Sequence, residues 1–123
     1  MADIIATPNA PAALGPYVQA QVSGGFVFVS GQLGMDKDGN LPPDFEAQAH
    51  NSLKNLGAIL EAAGSSLSKV VKTTVFLSDL ANFQRINGIY AEYFKAPCPA
   101  RSCFEVARLP KDALVEIEAI AER

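Results

Sequence analysis

The chain contains no tryptophan, a single histidine and only two cysteines. Cys98 and Cys103 flank Pro99 at a spacing too short and irregular for a disulfide framework, and they are too few for a structural zinc site. They read as free thiols in a reducing compartment. Clustered positive charge is also missing. Ten Lys and Arg stand singly among thirteen Asp and Glu, for a net charge of −3. Non-specific nucleic-acid binding is largely phosphate neutralisation, so this balance argues against a nucleic-acid partner. No apolar run approaches the roughly 18 residues that cross a bilayer, which excludes a membrane partner of that kind. The opening "MADIIATPNAP" lacks the basic and apolar segments of a secretory signal and the arginines of a transit peptide, so the cytoplasm is the expected address. There is no repeat and no low-complexity segment.

What remains is ordinary globular material, 123 residues with 49% hydrophobic and 19% charged side chains. That suits one domain over residues 1–123, able to bury roughly two thirds of the surface of its unfolded form without metal or disulfide. "VQAQVSGGFVFVS", 18–30, alternates, breaks at Gly24-Gly25 and resumes, as two strands joined by a two-residue turn would. The proline-rich stretch before it and "MDKDGNLPPD" after it read as loops. Ala49, Leu53, Leu56, Ile59, Leu60 and Ala63 form the apolar stripe of a helix over 45–63 with a polar opposite face and Gly64 as its stop. "KVVKTTVFLSD", 69–79, is β-branched and predicts a central strand. Leu80, Phe83, Ile86, Tyr90 and Phe94 give a second helix over 80–94, with Asp79 as its N-cap. "SCFEVARL" and "LVEIEAIAE" supply two last strands, which read as a hairpin closed by a short turn. The order is β, β-hairpin, α, β, α, β, β: an α+β two-layer domain with both helices on one face of a mixed sheet. The other face is left uncovered, and an oligomer is expected to bury it.

Several residues are candidates for chemistry. Glu116, Glu118 and Ile120 share one side of the last strand, where the carboxylates either meet solvent or activate water. Arg101 opens its strand. Its planar fork suits a carboxylate, either that of a ligand or that of Glu116 or Glu118 on a neighbouring strand. Cys103 falls on the same side, as a small buried hydrophobe or as a nucleophile, and no histidine stands ready to activate it. His50, on the polar side of the first helix, reads as a solvated surface residue. Ser30 and Gly31 end a strand, where Ser is a turn former and Gly lets a ligand approach the backbone. Asn87 lies on the apolar stripe of the second helix, so burial there obliges its amide to find a partner or a ligand.

Taken together, "NAPAALGPYVQA", "FVSGQL", "NLGAILEAAGSSL", "VVKTTVFLSDL", "YAEYF" and above all "PARSCFEVARLPKDALVEIEAIA" resemble, in order and almost end to end, the segments of the Rid family of reactive intermediate deaminases. The resemblance implies a chorismate-mutase-like fold assembled as a homotrimeric barrel with clefts between subunits. It implies hydrolysis of small enamines and imines such as 2-aminoacrylate, released by pyridoxal-phosphate enzymes, to 2-oxo acids and ammonia, with no cofactor and no metal. It matches Arg101 to a carboxylate-holding arginine and Glu116 to a water-positioning glutamate. Tyr17, Ser30, Gly31, Asn87 and Cys103 fall where the family lines the same cleft. "FKAPCPA" is shorter than in many relatives and Gly88 stands where a larger residue is usual, which bears on the cleft entrance. Relatives have also been described as translation inhibitors acting on RNA and as oxidation-activated chaperones, the two alternatives the resemblance carries.

Overall fold

A computed structural model describes residues 3–123. In chain order it holds β1 (Asp3–Ile5), β2 (Ala20–Ser23), β3 (Phe26–Leu33), α1 (Phe45–Ala62), β4 (Val70–Leu77), α2 (Phe83–Tyr93), β5 (Ala100–Glu105) and β6 (Val115–Glu122), with 3-10 turns at Leu67–Lys69, Leu80–Asn82 and Pro110–Asp112. The sequence pattern assigned no segment to the leading strand; it is β1, paired antiparallel to β2 at the sheet edge. Gly24 and Gly25 both have positive φ, as the mirror-image hairpin turns require, and they bring Phe26 opposite Ser23. Helix α1 starts where the Asp44 carboxylate accepts from the Ala47 N–H. It ends at Gly64, whose φ of 80° lets its N–H reach the Glu61 carbonyl while Ser65 N–H reaches Leu60. Asp79 caps the 3-10 turn that leads into α2 by accepting from Ala81 N–H.

The strands form one sheet in the order β1-β2-β3-β6-β4-β5, antiparallel everywhere except between β4 and β5. This corrects the expected hairpin of the last two strands. Strand β5 arrives by the β4-α2-β5 crossover and pairs parallel with β4 at the edge, whereas β6 inserts between β3 and β4. Connection through a helix places β5 beyond β4 and leaves the slot between β3 and β4 for the last strand.

Both helices lie on one face. Leu53, Leu56, Ile59 and Leu60 of α1, Ile86 of α2, and Val27, Val75, Val115 and Ile117 of the sheet are all fully buried in one core. Truncating any large member to alanine costs about 2–5 kcal/mol. The far side of α1 is less polar in environment than its residues suggest. Gln48, Ser52 and Asn55 are buried, and their side chains grip backbone. Ser52 donates to the Gln32 carbonyl, and Asn55 to those of Leu33 and Met35. Gln48 accepts from Leu114 N–H, and Asn51 donates to the Gly34 carbonyl. His50 also departs from the expected solvated role. Because α2 lies over α1, its Nδ1 is 2.7 Å from the Tyr93 hydroxyl and the ring is half-buried.

The opposite sheet face carries Phe26, Phe28 and Phe104 in the open, with Lys72, Thr74, Glu118 and Ile120 between them. Only one end is covered, by a small cluster in which Leu109 and Ala113 pack with Leu33 and Phe76. No helix among the described residues is long and apolar enough to cross a membrane.

The contact between β3 and α1 gives a stability test with opposite signs. A Cβ on Gly34 would collide with the backbone of Gln48, whereas one on Gly88, within α2, meets nothing. Gly34→Ala is expected to lower stability by about 1–3 kcal/mol through overpacking. Gly88→Ala is expected to raise it by about 0.5–1 kcal/mol through helix propensity. Urea midpoints of the two variants check both signs.

Candidate functional site

The seven residues singled out fall into two groups, and the pleat of the sheet decides which residue joins which. On β5, Arg101 pairs in register with Thr73 of β4, and Thr73 is fully buried on the helix side with its hydroxyl 2.7 Å from that of Tyr90. Arg101 therefore rises toward α2. Its guanidinium carbon stands 5.0 Å from the centre of the Tyr90 ring and 5.5 Å from that of Phe83. Asn87 is half-buried on the same helix, one turn after Phe83 and three residues before Tyr90, and so shares the face that Arg101 meets. Cys103, two residues beyond Arg101, is half-buried against the core. Burial pushes its thiol up from the ordinary value, and the nearby Arg101 charge offsets only part of that. A thiol held protonated is a poor nucleophile, in keeping with the packing role.

Among the described residues, Arg101 is in no ion pair and its guanidinium makes no hydrogen bond. The alternative in which it pairs with Glu116 or Glu118 does not hold: β4 lies between β5 and β6, and those glutamates point to the other face.

Glu116 heads the second group. In the sheet it sits between Leu33 of β3 and Phe76 of β4, two large apolar side chains. This setting raises its pKa above the ordinary 4.5, first through desolvation and then through the charge of Glu118 two residues along. The register of β3 shifts between Val29 and Gln32, a bulge at Ser30 and Gly31. There the Glu116 side chain lies close against the backbone. A Cβ on Gly31 would stand 2.8 Å from its Oε2, so only glycine leaves the carboxylate that place. Ser30 ties in the loop beside it: its hydroxyl donates to the Val18 carbonyl at 2.6 Å and its N–H to Gln19 at 2.9 Å. That loop carries Tyr17, 55% exposed, which lines a cleft of about 170 Å³ together with Gly31, Leu33, Lys111 and Glu116.

Tyr17, Ser30, Gly31 and Glu116 thus gather on one side of the sheet, and Asn87, Arg101 and Cys103 on the other. Three participants were not singled out from the sequence. The sequence pattern marks Phe83 and Tyr90 only as core stripe, and Lys111, at a φ of 58° beside the Glu116 cleft, carries no pattern that marks it. The aromatic pair had a signal: two rings one helical face apart, in the element leading to an arginine strand.

The chain and its fold have close counterparts. The family model described as Endoribonuclease L-PSP matches residues 7–123. The chain is 53% identical to the 2-iminobutanoate/2-iminopropanoate deaminase of Escherichia coli (strain K12), over 127 aligned residues covering 100% of this chain and 99% of that one. It is 54% identical to the protein of the same name from Salmonella typhimurium, with the same coverage. Among solved structures, E. coli TdcF with bound serine superposes with a TM-score of 0.94 at 49% identity over 98% of both chains. The Rid-family protein YyfA from Yersinia pestis gives 0.97 at 47% identity over 100% of both.

The Glu116 environment has a measurable consequence. Its folded pKa is raised, so the folded state favours the carboxylic acid; that contribution is complete below the ordinary 4.5 and is lost as pH rises through the raised value. Glu116→Gln is therefore expected to gain urea resistance over the parent near about pH 7 and little near about pH 4. Carboxyl NMR titration of Glu118→Gln is expected to show the Glu116 pKa falling toward the ordinary value without reaching it, since desolvation remains.

Proposed function

The chain belongs to the endoribonuclease L-PSP family, the Rid proteins, and we propose that Arg101 and Glu116 carry out its deaminase reaction in clefts formed between subunits of a homotrimer. The reaction is hydrolysis of small enamines and imines, such as 2-iminobutanoate and 2-iminopropanoate, to 2-oxo acids and ammonia. In this reading the whole chain, 1–123, works as one domain, in the cytoplasm, where two free thiols suit a reducing compartment. The observation that carries the site assignment is an arginine set over two aromatic rings, with no partner for its guanidinium N–H donors among the described residues.

The chemistry asks little of the protein. An enamine tautomerises to an imine whose carbon is already electrophilic, so a strong nucleophile is not required. The substrate carboxylate is held by the Arg101 fork in two parallel hydrogen bonds, each worth about 1.5–3 kcal/mol as a charge-assisted contact. Asn87, on the face of α2 that carries Phe83 and Tyr90, offers its amide to the substrate. Glu116, as carboxylate, accepts a hydrogen bond from water, orients it toward the imine carbon and takes a proton as the C–O bond forms. Glu116 passes that proton to the imine nitrogen, which gives a neutral carbinolamine. It then takes the hydroxyl proton as the C=O bond forms and delivers it to the nitrogen as the C–N bond breaks, so that ammonia leaves and Glu116 is again a carboxylate. A base with a raised pKa is better matched to this two-way traffic near neutrality than an ordinary glutamate. Cys103 contributes packing, since no thioester is needed.

A guanidinium on one face and a carboxylate on the other cannot reach one substrate within one chain. The open face with Phe26, Phe28 and Phe104 supports the trimer: packed against further copies, it would bring the Glu116 side of one subunit to the Arg101 side of the next.

Three expectations follow, with imine generated in situ by an amino-acid oxidase and the formation of 2-oxo acid monitored. Arg101→Ala loses nearly all acceleration of hydrolysis, and Arg101→Lys recovers little, because it keeps the charge and not the fork. Glu116→Gln is likewise inactive. Refolding the Arg101→Ala and Glu116→Gln chains together in equal amounts restores activity, since roughly one cleft in four then takes both intact halves from different subunits. A mixture as inactive as its components would show that the two residues do not complete each other across subunits.

A further inference from the structure

We infer that Thr73 and Tyr90 form a brace that presets the direction of the Arg101 guanidinium before any substrate arrives. The inference rests on the carboxylate-holding role proposed for Arg101 and adds to it a positioning device that does not touch the substrate.

An arginine with no carboxylate partner of its own is free to swing, and fixing a long side chain on binding costs entropy. The structure supplies a substitute for the missing partner. Arg101 and Thr73 are register neighbours on parallel strands and point to the same side. Tyr90 descends from α2 onto both: its ring faces the guanidinium at 5.0 Å and its hydroxyl meets Thr73 Oγ1 at 2.7 Å. Phe94 packs on the Tyr90 ring with centroids 4.5 Å apart, and Tyr90 itself is only 7% exposed. The ring is thus held by a hydrogen bond at its tip and by packing along its plane. Phe83 adds a second aromatic surface at 5.5 Å.

The arrangement suits its purpose in a way that an ion pair would not. A carboxylate neighbour would fix the guanidinium equally well, but it would occupy the N–H donors and neutralise the charge that the substrate carboxylate needs. A ring face attracts the cation through its quadrupole and leaves the donors at the guanidinium edge unoccupied. Thr73 is the right anchor because its hydroxyl has no other side-chain partner among the described residues and its own position is fixed in the centre of the sheet. Serine in its place would keep the bond; valine would keep the shape and lose it.

The test uses the intact protein, with 2-oxobutanoate as a stable carboxylate probe followed by NMR titration, and imine turnover measured alongside. A group that holds the substrate carboxylate equally in ground and transition states affects KM rather than kcat. Thr73→Val is expected to weaken 2-oxobutanoate binding about fivefold and to raise KM by a similar factor with kcat nearly unchanged. Thr73→Ser is expected to stay within about twofold of the parent. Tyr90→Phe should behave like Thr73→Val, and the double variant should be no weaker than either single one, because all three remove the same hydrogen bond. If Thr73→Val and Tyr90→Phe lower the unfolding midpoint but leave both the Kd and KM at parental values, the pair is packing only and the inference fails. Arg101→Ala separates the two levels. Parental affinity for 2-oxobutanoate in that variant overturns the carboxylate-holding role itself. Lost affinity there, with parental affinity in the brace variants, overturns the brace alone.

Discussion

The alternation of side chains along β4 and β6 is the constraint on which the rest of the molecule depends. Val75, Val115 and Ile117 point to the helices and are fully buried, so the residues between them have no choice but the other face. Glu116 is fixed there by its neighbours Val115 and Ile117 more firmly than by anything it touches itself. Thr73, by the same parity, is fixed on the helix side, and through the parallel pairing so is Arg101. A one-residue slip in either strand would turn a core residue out to solvent and a charge into the core. Register is therefore held by the hydrophobic core at large, and the positions of both charged groups come with it.

Within that frame each charged group is held by a different local device. Around Glu116 the device is shape. The bulge at Ser30 and Gly31 opens a place for the carboxylate, and the side chains of Ser52 and Asn55 hold the end of β3 through its carbonyls. Removing one such side chain would strand buried acceptors, which costs about 1–3 kcal/mol for each group. Around Arg101 the device is a pair of aromatic faces and a hydroxyl. The first device discourages ionisation of the acid; the second steadies a cation without using its donors. Both leave electrostatic demand unmet within the chain, which is how a structure keeps affinity in reserve for a ligand.

Much of this was legible from residue order and much was not, for physical reasons. Local signals carried well: the α1 stripe, the Gly24-Gly25 turn and the Gly64 stop depend on interactions spanning a few residues, and the Asp79 cap was misplaced only by one short turn, since it closes the 3-10 segment before α2 while Asn82 stands at the start of α2 itself. Sheet order did not carry, since nothing local in "LVEIEAIAE" tells that it inserts between β3 and β4 rather than folding back on β5. The buried amides of Gln48 and Asn55 were hidden by their polarity. Their partners are backbone carbonyls and N–H groups, and these leave no trace in side-chain patterns. His50 was misplaced for a related reason, its partner Tyr93 lying 43 residues away. At the site, the parity of Glu116 and the shared side of Arg101 and Cys103 could be read from strand alternation alone. The division into two faces could not, because it depends on which strands are neighbours.

That division bears on how the chemistry is organised. A residue that binds the carboxylate and a residue that activates water must approach one small substrate from different directions, since the water attacks an atom adjacent to the carboxylate. Placing both on one sheet face would put a free guanidinium next to a free carboxylate. They would then pair with each other: two opposite charges about 4 Å apart at an effective dielectric near 20 attract by about 4 kcal/mol before desolvation. Such a pair would have to be broken for every turnover. Separation by the thickness of the sheet prevents the internal pairing and keeps the guanidinium open, while desolvation and the charge of Glu118 hold the Glu116 pKa above its ordinary value. In the proposed reaction the two groups then meet through the surface of another copy, with the substrate between them. In the proposed assembly the sheet thus serves the site as well as the fold: it keeps apart, within each chain, two groups that are useful only while they remain unpaired.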